Sequence, residues 1–186
     1  MTMTGLFGRF GDTRVATAKR LGLIAVGVLI GTFQLCGWVG LRINASPSLP
    51  VGLYLTSSKP EANLAEFCPA EPFASLAILR GYRDRGVCRD GATPLLKPVV
   101  ARAGDVVNVS EQGIAVNGRL LPNTAVRPAD THGRPLHPWP CGRYVVVPDT
   151  VWVASSYEAR SFDSRYFGPI PTSSIRDRVR PLLTAW

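Results

Sequence analysis

The sequence predicts a mainly β domain of antiparallel strands behind one N-terminal transmembrane helix. Residues 21–41 form an uncharged apolar run. Gly (18) and Pro (16) are frequent and spread without repetition, a pattern of short strands and many turns. Asn117-Gly118 sits between two short apolar runs, the strongest local signal for a type I′ hairpin. The 186 residues leave room for one ordinary domain and a short appendage. With 46% hydrophobic and 18% charged residues, a disordered chain is excluded.

Taken in order, residues 1–20 carry Arg9, Arg14, Lys19 and Arg20 against one acid, Asp12. The run that follows, LGLIAVGVLIGTFQLCGWVGL, reaches roughly 31 Å as a helix, the thickness of a bilayer's hydrocarbon core. Gln34 is its only strongly polar member. The positive-inside rule puts residues 1–20 in the cytoplasm and everything after Arg42 outside it. The expected organisation is a cytoplasmic tail at 1–20, a transmembrane anchor or uncleaved signal at 21–41, and an exported domain at 42–186. A cleaved signal peptide is the alternative. Against it, the run exceeds a typical signal core, and the best small-residue site, after Ala45, has Ile43 at the other recognition position.

In the exported part, Leu95–Ala101 reads as a buried strand and Val106–Val109 as the next, after a turn at Ala103-Gly104-Asp105. Gly113–Val116 and Arg119–Leu121 form the Asn-Gly hairpin. Tyr144–Val147 and Val151–Ala154 flank Pro148-Asp149-Thr150 and read as a second hairpin. Residues 122–142 hold five prolines and read as a long surface excursion. A short helix is expected within residues 58–75.

The net charge of +8 comes from 21 basic and 13 acidic residues. The arginines are scattered, with no basic stripe interleaved with aromatics, so the footprint of nucleic-acid binding is missing. Only Lys19, Lys59 and Lys97 are lysines. Lys97 lies inside an apolar strand, where a buried ammonium sheds its proton and becomes a general base. A snorkelling or edge-strand lysine is the alternative. Ser48 lies between Pro47 and Pro50, and Ser46 directly before Pro47, in sequence that cannot be helical, or in a simple juxtamembrane linker. Ser161, Asp163, Ser164 and Arg165 pack hydroxyls, a carboxylate and a guanidinium into five residues, or form a surface turn with a local ion pair. A Ser-His-Asp triad needs a well-placed histidine, and His132 and His137 both fall in the Pro-rich excursion. Cys36 is in the span. Cys68 and Cys88 lie 20 residues apart in turn-rich sequence, and a bridge there would constrain the unfolded chain by about 3 kcal/mol. Metal binding is the rival reading. No CxxC or HxxxH spacing exists, so neither a metal nor a cofactor is expected.

Three boxes, SPSLPVGLY, PLLKPVVARAGD and SFDSRYFGP, follow the apolar run in this order. Together they resemble the signal peptidase I superfamily of Ser–Lys peptidases, and within it the TraF-type pilin-processing peptidases of plasmid conjugation. The resemblance runs from about Asn44 to Pro171. The first box departs from the general leader-peptidase form, because Ser48-Leu49 runs directly into Pro50-x-Gly52-Leu53-Tyr54. The resemblance implies a signal-peptidase-like antiparallel β domain. It implies Ser48 as nucleophile, Lys97 as general base, and Ser46 as a hydroxyl beside the oxyanion. It implies that Ser161 hydrogen-bonds the lysine amine, that Asp163 and Arg165 brace the site with Asp163 functional, and that Gly104-Asp105 is a structural turn. A Cys68–Cys88 pair is at home in this branch.

The implied protein is a serine endopeptidase on the periplasmic side of the inner membrane. It would process, or cyclise, an exported pilin or preprotein, alongside other conjugation components and without nucleic acid. Two alternatives are a general signal peptidase and a non-catalytic periplasmic component of the transfer apparatus. The joint presence of Ser48, Lys97 and Asp163 speaks against the latter.

Overall fold

The computed structural model describes residues 19–24, 26–27, 31, 40–59 and 62–185. Residues 19–24, 26–27 and 31 are helical. Cys36 and most of the expected span lie outside the described residues. Among those described, no helix is long and apolar enough to cross a membrane. The chain divides into two units, residues 1–41 and 42–186.

From Leu41 onward the chain is rich in β structure. β1 (Leu41–Asn44), β2 (Val51–Thr56) and β3 (Leu64–Phe67) precede a short helix, α1 (Phe73–Leu79). β4 (Leu95–Ala101), β5 (Val106–Ser110), β6 (Gly113–Val116), β7 (Arg119–Leu120), β8 (Gly142–Val145) and β9 (Thr150–Val153) follow. The chain closes with a one-turn helix, α2 (Ser164–Phe167), then β10 (Ile170–Pro171), a 3-10 turn and β11 (Ile175–Ala185). A seven-stranded sheet has the order β1-β2-β11-β3-β4-β9-β10, and a four-stranded sheet the order β7-β6-β5-β8. β11, for which the sequence offered no expectation, reaches both β2 and β3 and ties β1 and β2 to the rest of the large sheet. It runs so close to β2 that a Cβ on Gly52 would strike the Leu183 main chain.

β4 falls on the expected residues. So does the Asn-Gly hairpin, with Asn117 and Gly118 both at positive φ (50° and 84°) as a type I′ turn requires. The expected Gly104-Asp105 turn ends β4. There Asp105 Oδ2 accepts from the Arg102 N–H at 2.8 Å and Oδ1 from Asn117 Nδ2 at 2.8 Å.

Two expectations are corrected. The short helix expected within residues 58–75 begins there only at Phe73 and runs on to Leu79, and Leu64–Phe67 form a strand, β3. β3 lies between β4 and β11, where ladder hydrogen bonds on both sides override weak local propensity. Tyr144–Val147 and Val151–Ala154 do not form a hairpin. β8 pairs with β5 in the small sheet, and β9 pairs with β4 and β10 in the large one. The reason is two-sided burial of β9. Val151 and Val153 enter the core with Phe67, Leu95 and Phe162, while Trp152 enters a second core with Val107, Val109 and Ile114. A strand with apolar side chains on both faces, as at Val151–Val153, belongs between two layers, not in an exposed ribbon.

The 122–142 excursion is largely exposed and irregular. It is nonetheless tied down, by Tyr82 Oη donating to Asp130 Oδ2 at 2.6 Å and the Trp139 N–H donating to the Arg165 carbonyl at 2.7 Å. Cys68 and Cys88 are disulfide-bonded, with Cα atoms 5.8 Å apart, and close the loop that carries α1 back to the sheet. Cys141 is free and exposed.

Candidate active site

Ser46 and Ser48 lie in the turn between β1 and β2. Pro47 and Pro50 bar a helix there, and buried Asn44 organises what forms instead. Asn44 Nδ2 donates to the carbonyls of Ser46 (2.9 Å), Leu49 (3.2 Å) and Pro50 (3.2 Å), and Oδ1 accepts from the Ser46 N–H at 3.2 Å. Tyr54 Oη adds a bond to the Pro50 carbonyl at 2.6 Å. Ser46 Oγ accepts from the Ser48 N–H at 3.3 Å and donates to Ser48 Oγ at 3.3 Å. The turn is a folded device and not a linker.

Strand alternation puts Lys97 on the same buried face of β4 as Leu95 and Val99. β4 is flanked by β3 and β9, so Lys97 is on neither an edge nor a snorkelling path. Its Nζ lies 2.5 Å from Ser48 Oγ. Burial lowers its pKa from the ordinary 10.5 to about 8; Asp163 and Glu158 oppose the shift and Arg165 assists it.

Asp163 caps α2, accepting from the Arg165 N–H at 3.2 Å. The Arg165 guanidinium grips the same carboxylate twice, Nε to Oδ1 and Nη2 to Oδ2, both at 2.9 Å. It also donates to the carbonyls of Asn123, Ala125, Ala159 and Ser161. Both residues are fully buried, so the pair is an internal brace rather than a surface turn. Burial works against the guanidinium's charge, but bonding to Asp163 outweighs it and the Arg165 pKa is raised.

One expected contact is absent. Ser161 lines the same groove as Lys97, but its buried Oγ has no hydrogen-bond partner among the described residues. Its main chain is held elsewhere: the N–H donates to the Glu158 carbonyl at 3.1 Å, and the carbonyl accepts from Arg165. Among the described residues, the lysine amine's hydrogen bond is to Ser48 Oγ.

Ser155 is a site residue that sequence reasoning missed. It is fully buried, and its Oγ donates to the Ser48 carbonyl at 2.6 Å. No local signal marks it in the run VWVASS. Asn44 was more legible, because an Asn just before a Ser-Pro turn is a common side-chain-to-backbone turn former.

Ser46, Ser48, Lys97 and Ser161 open on a groove of about 820 Å³, also lined by Leu95 and Phe162. No histidine lines it, and no His, Cys, Asp or Glu cluster suited to a metal occurs among the described residues. A buried amine of lowered pKa in contact with a serine hydroxyl can accept that hydroxyl's proton.

A family model for signal peptidase, peptidase S26, matches residues 14–183. A plasmid transfer protein TraF of Escherichia coli is 38% identical over 176 residues, covering 92% of this chain and 99% of that protein. A conjugal transfer protein TraF of Agrobacterium tumefaciens is 38% identical over 151 residues, covering 78% of this chain and 83% of that protein. Among solved structures, a signal peptidase I from Enterococcus faecalis is similar at 13% identity and a TM-score of 0.35, covering 66% of this chain and 97% of that one.

Proposed function

This chain belongs to the signal peptidase S26 family, and from that premise we propose a membrane-anchored serine endopeptidase that matures a pilin or another exported protein of a conjugative transfer system. The observation that carries the proposal is the 2.5 Å approach of Lys97 Nζ to Ser48 Oγ, both buried at the groove. Neutral Lys97 accepts the Ser48 hydroxyl proton as Oγ attacks a peptide carbonyl. The Ser48 N–H and the Ser46 hydroxyl turn from the 3.3 Å bonds they make within the Ser46–Ser48 pair onto the oxyanion, and such donors are worth roughly 3–4 kcal/mol each in comparable sites. The Lys97 ammonium then protonates the leaving amine, and an acyl-enzyme on Ser48 remains. Water, or the substrate's own N-terminal amine, resolves it. Asp163 and Arg165 hold the surrounding main chain.

The names of the TraF relatives support a place in conjugation. Residues 21–41 then anchor the chain in the inner membrane, with 1–20 cytoplasmic and 42–186 in the periplasm. Mass spectrometry of a pilin precursor co-expressed with this chain tests the reading. A shortened pilin, or a cyclic one lighter by a further water, is expected, and neither is expected with Ser48→Ala. An unprocessed precursor beside the folded wild-type chain would refute it. Externally added protease in spheroplasts should spare residues 1–20 and cleave beyond 42.

A further inference from the structure

We propose that Ser155 is the positioning residue of the nucleophile, and that Asp163 acts on the reaction through it. The inference rests on the peptidase reading above and extends it. Ser155 lies two residues beyond the end of β9, and Ser48 lies in the β1–β2 turn, 107 residues away. The bond from Ser155 Oγ to the Ser48 carbonyl joins these two segments.

The hydroxyl has no freedom to do anything else. Its oxygen accepts from the backbone N–H groups of Tyr157 (3.1 Å) and Glu158 (3.2 Å). With those two acceptor positions filled, its single proton is directed at the Ser48 carbonyl. The Ser155 N–H in turn donates to Asp163 Oδ2 at 3.0 Å. The connection is therefore continuous: Arg165 grips Asp163, Asp163 holds the Ser155 main chain, and the Ser155 side chain holds the main chain of Ser48.

Carbonyl accounting within the turn points the same way. Asn44 serves the carbonyls of Ser46, Leu49 and Pro50 and bypasses that of Ser48. Ser155 supplies what Asn44 does not. Fixing that carbonyl fixes the peptide plane after Ser48, and with it the direction from which Oγ meets Lys97. Asp163 has no hydrogen bond to Ser48 or Lys97 and acts on Lys97 through its charge, so its bonded route to the Ser48 segment runs through Ser155.

The test uses the full-length chain in detergent and a fluorogenic peptide with small residues before the scissile bond. Rates are read at alkaline pH, where Lys97 is neutral in every variant and the charge of Asp163 no longer matters to it. Ser155→Ala should lower kcat by about 100-fold, the scale of an ångström-sized misplacement, with KM nearly unchanged. The acid limb of its kcat/KM profile should stay where the wild type has it, since no charge is altered. Ser155→Thr keeps the hydroxyl and should recover most of the rate. If Ser155→Ala melts below the assay temperature, Ser155→Cys, a weak donor of similar size, carries the same comparison.

The decisive measurement is a cycle with Asp163→Asn: the double variant should be no slower than the slower single variant. Fully multiplicative losses, or wild-type kcat in folded Ser155→Ala, would overturn the proposal. Cleavage by Ser48→Ala would instead overturn the peptidase reading beneath it.

Discussion

Lys97 is buried where a charge is unwelcome, and on the proposed peptidase reading that single fact should set both the rate and the stability of the protein as pH changes. At pH 7 an ordinary lysine is neutral in about one molecule in three thousand. With its pKa lowered to about 8, Lys97 is neutral in about one in ten, a gain in available base of about 300-fold. The value of kcat/KM should therefore rise about tenfold per pH unit below pH 7.5 and level off above about pH 9.

The same shift weakens the fold. Between about pH 8 and 10.5 the unfolded chain binds the lysine proton and the folded chain does not, so stability rises with pH across that window and is lowest below it. The gap corresponds to about 3 kcal/mol at pH 7. Lys97→Met keeps the length of the side chain and removes the charge. It should abolish processing yet raise Tm by roughly 5–10 °C at pH 7. Thermal melts of both proteins from pH 6 to 10.5 supply the check, and the advantage of the variant should shrink as the pH climbs. A Tm difference that does not vary with pH, or an acid limb near pH 10, would refute this account of a desolvated lysine.

Ser48→Ala and Lys97→Arg should each abolish processing in a folded chain, because guanidinium does not release its proton. Ser48→Ala combined with Lys97→Ala should be no worse than either alone, as measured by product formation. Replacing Cys68 and Cys88 with serine should cost about 3 kcal/mol of stability by denaturant titration, and non-reducing peptide mapping of the exported wild type should recover the two segments joined. Arg165→Met should destabilise by about 3–5 kcal/mol, because it strands the buried Asp163 carboxylate and is not a matter of surface charge. Ser161→Ala removes a hydroxyl that has no partner, so its Tm should not fall. A loss in kcat with KM unchanged would show Ser161 turning onto Lys97 during turnover.

The parts of this protein legible in its sequence are those that depend on near neighbours in the chain. A short apolar run marks β4, and the Asn117-Gly118 turn marks its hairpin, because apolar character and positive φ are local features of the chain. Lys97 stood out as a lysine in an apolar strand, Ser46 and Ser48 as serines set against Pro47 and Pro50, and Cys68 and Cys88 by their spacing. What the sequence could not decide is how the segments lie against one another. The run 151–154 looks like half of a hairpin, but it becomes a strand buried on both faces because two sheets close around it. Asp163 and Arg165 look like a surface pair until the strands and the 122–142 excursion bury them. Ser155 is one serine among many until the fold brings it to the Ser48 carbonyl, 107 residues away. The base strength of Lys97 belongs to this second class as well. A pattern of residues states what a side chain is, but its pKa depends on the water that packing removes, and packing is a property of the folded chain alone.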